Sequence, residues 1–255
     1  MASEGATSHL LLNLRTQVVT LKTTGFWDRV TVPKLFPVAE TAVLLCDLWD
    51  DHWCRSAAKR SAAIAERANG VVAAARANGV QVIHSPSDTM DFYAYAPQHR
   101  RIIETPRVEP PDPIDLPIAP PLPIDDSDGG CDDGGCEQRR PWKRQHPAIE
   151  IGEDDVISDS GEEVYSFMRA GGIENLIVMG VHTNMCVLNR SFAIKQMTRW
   201  GIRCVLVRDL TDAMYNPSRA PYVSHDRGTE LVVDHIERYW CPSILSRDLL
   251  EVHGR

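Results

Sequence analysis

Residues 175–186, NLIVMGVHTNMC, decide the fold. Asn175 to Met179 carry no charge and are mostly branched or long apolar side chains. A short uniform run of this kind reads as a strand buried on both faces, as in a parallel sheet. Gly180 to Asn184 reads as a turn. Met185 to Trp200 reads as one helix, closed by Gly201. Upstream, Thr41 to Cys46 (TAVLLC) is a second buried strand, ending at Asp47. Ala57 to Asn78 is alanine-rich, with Ile64, Val71, Val72 and Ala75 at helical spacing. Asn78-Gly79 stops that helix, and Val80 to His84 (VQVIH) is the next strand. Strand, helix and strand make a βαβ unit.

Farther out the rhythm breaks. Eight of the seventeen prolines lie from Pro106 to Pro123, and the acidic, glycine-rich run DDSDGGCDDGGC follows at 125–136. Neither a helix nor a central strand continues through such a density of proline and glycine. Residues 85–145 therefore read as a long insertion, a lid or a subunit-contact loop. Order returns with a strand edge at Asp155 to Ser158 and a helix at Gly161 to Ala170, capped by Ser160. A strand at Ile202 to Val207 and an amphipathic helix at Thr229 to Tyr239 follow. Leu10 to Val19 is one further strand; the rest of the first forty residues has no clear pattern. The expectation is a single α/β domain over residues 1–255, a three-layer, doubly wound α/β/α fold with a mostly parallel sheet.

Bulk properties narrow the function. Apolar residues make up 43% of the chain, enough for a core of ordinary size. A net charge of -8 disfavours nucleic acid and anionic membrane as partners. No uncharged apolar run is long enough to span a bilayer. The start, MASEGATSHLLLNLRTQ, has no basic n-region, so a cytoplasmic location is expected. The cysteines at 46, 54, 131, 136, 186, 204 and 241 fit neither a zinc spacing nor a secreted framework. Cys46, Cys204 and Cys241 have apolar or aromatic neighbours and read as core.

In an open parallel sheet, ligands bind beyond the carboxyl ends of the strands. Asp47 follows one such end and Cys186 another. If the two strands are neighbours, both residues face one cleft. Cys186 falls in the first turn of the expected helix, where free N–H groups and the helix dipole favour a thiolate. The bland alternative is a buried structural cysteine.

TAVLLCDLWDDHWC together with LIVMGVHTNMCVLNRSFAIKQM and GIRCVLVRDLTDAM resembles the isochorismatase-like cysteine hydrolases, over Thr41–His84 and Asp155–Tyr239. The stretch Gly180 to Val187 carries the most specific part of the likeness. The resemblance implies an Asp-Lys-Cys triad, with Asp47 as the aspartate and Cys186 as the nucleophile. It also implies a cis peptide at Val181–His182, with the backbone amides of His182 and Cys186 forming an oxyanion hole. The family lysine has no counterpart in Asp155 to Gly161. Lys143 is the substitute expected here, Arg144 the second choice, and a solvated loop lysine the plain reading of Lys143. Trp49, Trp53, Trp142 and Asn184 are the candidate substrate-binding residues, although Trp49 serves equally well as core. Asp209 and Asp212 read as helix caps or turn residues.

No metal and no organic cofactor are expected. His84 to Met90 lacks the Asp-x-His element of the nicotinamidases. The acidic run lacks the ligand spacing of a calcium loop and reads as a flexible acidic loop. Cys131 and Cys136 alone are too few for a zinc site. The implied activity is hydrolysis of a C–N bond in a small amide or ureido compound through a thioester. Vinyl-ether hydrolysis and a catalytically silent binding module of the same fold are the alternatives. A homo-oligomer is expected, with the insertion burying Leu116, Ile118, Leu122 and Ile124 against a neighbouring subunit or over the cleft.

Overall fold

The computed structural model describes residues 8–20 and 25–254, so Met1 to Thr7 of the N-terminal reading lie outside the described residues. Strands β1 (His9–Val19) and β2 (Trp27–Pro37) form an antiparallel ribbon. β3 (Thr41–Cys46), α1 (Arg55–Ala77) and β4 (Gln81–Ser85) form the βαβ unit. Two short helices follow, α2 (Met90–Tyr93) and α3 (Pro97–Ile103), and then a long irregular stretch ending at β5 (Val156–Ile157). The order closes with α4 (Gly161–Ala170), β6 (Asn175–Val181), α5 (Cys186–Asn189), α6 (Ile194–Arg199), β7 (Arg203–Asp212), α7 (His225–Tyr239), β8 (Ser243–Ile244) and β9 (Val252–His253).

These strands make one sheet in the order β2-β1-β8-β7-β6-β3-β4-β5, with β9 beside β1. From β8 to β5 every pair is parallel. The chain builds outward from β3 to β4 and β5, then returns to lay β6 on the other side of β3. The β3–β6 pair is therefore the switch point of a doubly wound sheet, where a crevice opens beyond the strand ends.

Side-chain alternation assigns the two faces. Val43, Leu45, Ile177, Met179, Val205 and Val207 pack on the apolar stripe of α1, including Ile64, Ala68 and Val72. Ala42, Leu44, Leu176, Val178 and Leu206 pack on α4 to α7 through residues such as Met168, Leu188, Met197 and Ile236. That is the three-layer α/β/α arrangement. Among the described residues, no helix is long and apolar enough to cross a membrane.

The structure corrects three local expectations. The helix from Met185 to Trp200 is two short helices. Arg190 adopts extended backbone, and Ser191 turns its hydroxyl to accept from the Gly161 amide at the start of α4. Asp209 and Asp212 are not caps. β7 runs through both of them; Asp209 accepts from Ser246, and Asp212 binds Arg60 and His225. β2 had no legible pattern because it is an edge strand whose side chains are mostly exposed on both faces.

The acidic run is a fourth correction. It is not a loose loop, because its carboxylates are individually held. Asp126 accepts from Asn184, Asp128 from Asn216 and Arg219, Asp132 from Arg60, and Asp133 from Ser56. Of the four apolar residues expected to be covered within the insertion, Ile124 is buried and Leu122 packs on the core, whereas Ile118 is fully exposed.

Candidate active site

Asp47 follows the last residue of β3 and is wholly buried. It adopts a left-handed backbone (φ 50°), which aspartate tolerates better than most residues. Its Oδ1 accepts from the Ser87 amide at 2.7 Å, just past β4. Its Oδ2 accepts from Arg190 Nε at 3.0 Å. Burial pushes the Asp47 pKa up; Arg190, the Cys186 thiol and Ser87 pull it back, and the net shift is upward.

Cys186 opens α5, after the turn from β6. That turn depends on Gly180, which has φ 120°; a Cβ there would lie 2.0 Å from the Cys46 carbonyl oxygen. The Val181–His182 peptide is cis. The Cys186 thiol faces the Asp47 carboxylate and also meets the backbone amide of His182. Burial and the Asp47 charge push its pKa up, while Arg190 and the His182 amide oppose them. The net shift is upward, so the resting group is a thiol. Burial and the Asp47 charge outweigh what the single turn of α5 offers a thiolate.

Arg190 is the cation that meets Asp47. Its Nη2 also reaches Asp88 at 3.3 Å, and burial is outweighed by the Asp47 charge, which raises its pKa. Lys143 does not fill this place. It is exposed, and its backbone amide donates to Asp50. Arg144 is exposed as well; it lies near Asp50 and over the Phe92 ring. Sequence reasoning missed Arg190. The signal was its position four residues after Cys186, one helical turn away on the same face; indeed its amide donates to the Cys186 carbonyl.

The tryptophans pack against one another. Trp49 and Trp142 stack with ring centroids 4.2 Å apart. Trp49 donates to the Ser87 carbonyl, and Trp53 packs on His52. His52 Nε2 lies 3.3 Å from His182 Nε2, so at least one of the two rings is neutral. Burial drives His182 down to about 3. The pocket beside Cys186 is elsewhere. It measures about 460 Å³ and is lined by Leu122, Asp126, Asn184, Arg190 and Lys195, with no tryptophan. Asn184 is a tether at its edge: it exchanges two hydrogen bonds with the Met214 backbone and donates to Asp126.

No family model and no curated protein matches the chain. Solved structures do. A cysteine hydrolase from Pseudomonas syringae pv. phaseolicola 1448A superposes with a TM-score of 0.53 at 18% identity, over 84% of this chain and 92% of that one. A protein from Oleispira antarctica, named provisionally as an isochorismatase hydrolase, gives 0.50 at 16% identity, over 85% and 99%. The chain has the isochorismatase-like α/β fold, and Asp47, Cys186 and Arg190 meet at its switch point.

Proposed function

We propose that the chain is a cysteine hydrolase that cleaves a C–N bond in a small amide or ureido compound. The observation that carries this reading is the Cys186 thiol set against a buried carboxylate that is itself pinned by a guanidinium. A carboxylate lifted in pKa by burial is a stronger base than one in water. As the Cys186 sulfur attacks the carbonyl carbon, its proton passes to Asp47. The backbone amides of His182 and Cys186 stabilise the oxyanion. Asp47 then gives the proton to the leaving nitrogen, the C–N bond breaks, and a thioester remains. Water, deprotonated by Asp47, attacks the thioester and releases the acid and the free thiol. Arg190 stays charged throughout, so it positions Asp47 and offsets the developing negative charge without shuttling a proton.

The pocket size suits a small ligand, and its lining of both charge signs suits a polar one. One observation favours a silent binding module instead: among the described residues no lysine contacts Asp47. Intact-protein mass spectrometry separates the two. A panel of small amides and ureido compounds is expected to leave one acyl adduct on Cys186, removable by hydroxylamine. Turnover that persists in Cys186→Ala overturns the nucleophile. Ligand binding with no adduct and no product from any amide supports the module, and product from a vinyl ether alone supports the other hydrolase.

A further inference from the structure

A second cluster of thiols lies where the 125–136 loop meets the start of α1. Cys54, the residue before α1, is completely buried. The ligand atoms of Cys54, Cys131 and Asp133 all lie within 4.8 Å of one another. Cys54 Sγ is 3.7 Å from Asp133 Oδ2 and 3.7 Å from Asp132 Oδ1. The Cys136 thiol adjoins that of Cys131, and both remain free cysteines. Two thiols and a carboxylate that come together, with the Cys136 thiol adjoining Cys131, offer the donor set of a tetrahedral zinc-type site. With metal–sulfur bonds of about 2.3 Å and metal–oxygen bonds of about 2.1 Å, adjacent ligand atoms would sit roughly 3.6–3.8 Å apart. The Cys54–Asp133 separation already has that value.

The surroundings support the donors. Asp133 is oriented by the Ser56 amide at 2.6 Å and the Ser56 hydroxyl at 2.7 Å. Arg60 pairs with Asp132 at 2.8 Å and offsets part of the negative charge. Gly130 (φ 71°) lets the loop press against Met214, whose carbonyl oxygen would be 2.3 Å from a Cβ at that position. A helix cap alone would account for Asp133 and Ser56. It would not account for thiols gathered against two carboxylates. A bound divalent ion takes thiols as thiolates and releases their protons.

We propose that Cys54, Cys131, Cys136 and Asp133 bind one thiophilic divalent cation of the zinc type, a structural site that fixes the 125–136 loop. The loop carries Asp126, which lines the Cys186 pocket, so the ion shapes that pocket from outside the reacting groups. For these cysteines, the expectation of no metal rested on counting Cys131 and Cys136 alone. Cys54 joins them only through the fold.

The test uses the full chain, reduced, stripped with a chelator and titrated with Co²⁺ alone. The expected result is thiolate-to-cobalt charge transfer and intense tetrahedral d–d bands, saturating at a single equivalent and displaced by Zn²⁺. Cys131→Ser and Cys136→Ser are expected to lose or weaken the charge-transfer band, and Cys186→Ser to keep it. Saturation without thiolate bands overturns the site, as does an unchanged band in Cys131→Ser. So does a native Cys54–Cys131 disulfide that takes up no metal once reduced. Should a variant fail to fold, the wild-type titration decides alone.

Discussion

The two thiol sites use the same side chains toward different ends. Around Cys186, a single thiol meets one carboxylate, Asp47, and one guanidinium, Arg190, at the edge of a pocket. Around Cys54, its thiol and that of Cys131 meet Asp133, Cys136 adjoins Cys131, and Arg60 stands behind them, bridging Asp132 and Asp212. A lone thiol against a buried base can give up its proton to an attack. Thiols gathered beside a carboxylate offer a cation several ligand atoms at once. Access and number, rather than residue type, separate a nucleophile from a ligand. The largest effect should fall on the first site. Cys186→Ala is expected to lower turnover on the order of 10⁴-fold or more. Its melting temperature should stay close to that of the wild type, because the side chain borders a pocket. Comparable turnover loss in Cys131→Ala, in a variant that still folds, would break the comparison.

Arg190→Gln comes next. It leaves a fully buried Asp47 without its cation. The carboxylate should then take up a proton more readily and serve less well as a base. The Cys186 pKa should rise further, since Arg190 is one of the groups holding it down. Turnover is expected to fall roughly 10²-fold, the scale of losing a positioned acid–base group. The pH profile of iodoacetamide labelling should move to higher pH. Arg190→Lys should recover part of the rate if the charge is what matters. Unchanged alkylation in Arg190→Gln would remove Arg190 from the site.

How far the sequence foretold these sites follows from what spacing can reveal. The β3 and β6 runs are legible because a strand buried on both faces has one composition, and that alone brings Asp47 and Cys186 to one crevice. Arg190 escaped notice because an arginine in a helical run is usually a solvated face, and its spacing from Cys186 does not show that the chain leaves the helix at Arg190. Lys143 drew attention because it ends the insertion, but its backbone is spent on Asp50 and its side chain remains in solvent. The tryptophans drew attention as pocket walls, but Trp49 and Trp142 stack on each other and none lines the pocket beside Cys186. The acidic run looked solvated because its partners, Arg60, Asn184, Asn216 and Arg219, are scattered along the chain.

Each site also has a histidine, and the two titrate in opposite directions. Burial takes His182 down to about 3, below an ordinary value of about 6.5. Between those values the unfolded chain binds a proton that the folded chain refuses, so stability is lost as pH falls through that window. The slope for one such group is about 1.4 kcal/mol per pH unit. His225 behaves in the reverse sense. Burial opposes its charge, but the hydrogen bond and charge of Asp212 prevail and raise its pKa. Its contribution is present below about 6.5 and fades as pH rises through the raised folded value. Chemical denaturation across pH should show His182→Asn flattening the acid limb and His225→Gln flattening the limb above neutrality. The same limb flattened by both variants would contradict the opposed shifts.

The smallest expected effect belongs to Lys143. Its ammonium is exposed and makes no ion pair among the described residues. A solvated charge is screened over about 8–10 Å at ordinary salt. It therefore has little leverage on a carboxylate already paired at 3.0 Å with Arg190. Lys143→Ala should change turnover and Cys186 alkylation by less than about twofold, and stability by no more than about 0.5 kcal/mol. Because the contact with Asp50 uses the Lys143 backbone amide, the substitution leaves that hydrogen bond in place. Lowering the ionic strength sharpens the measurement, since any long-range effect of the ammonium would grow as screening weakens. A tenfold loss in Lys143→Ala that deepens at low salt would mean that the insertion carries this lysine to Asp47 during turnover. Arg190 would then hold the resting site, and a second cation would serve the reacting one.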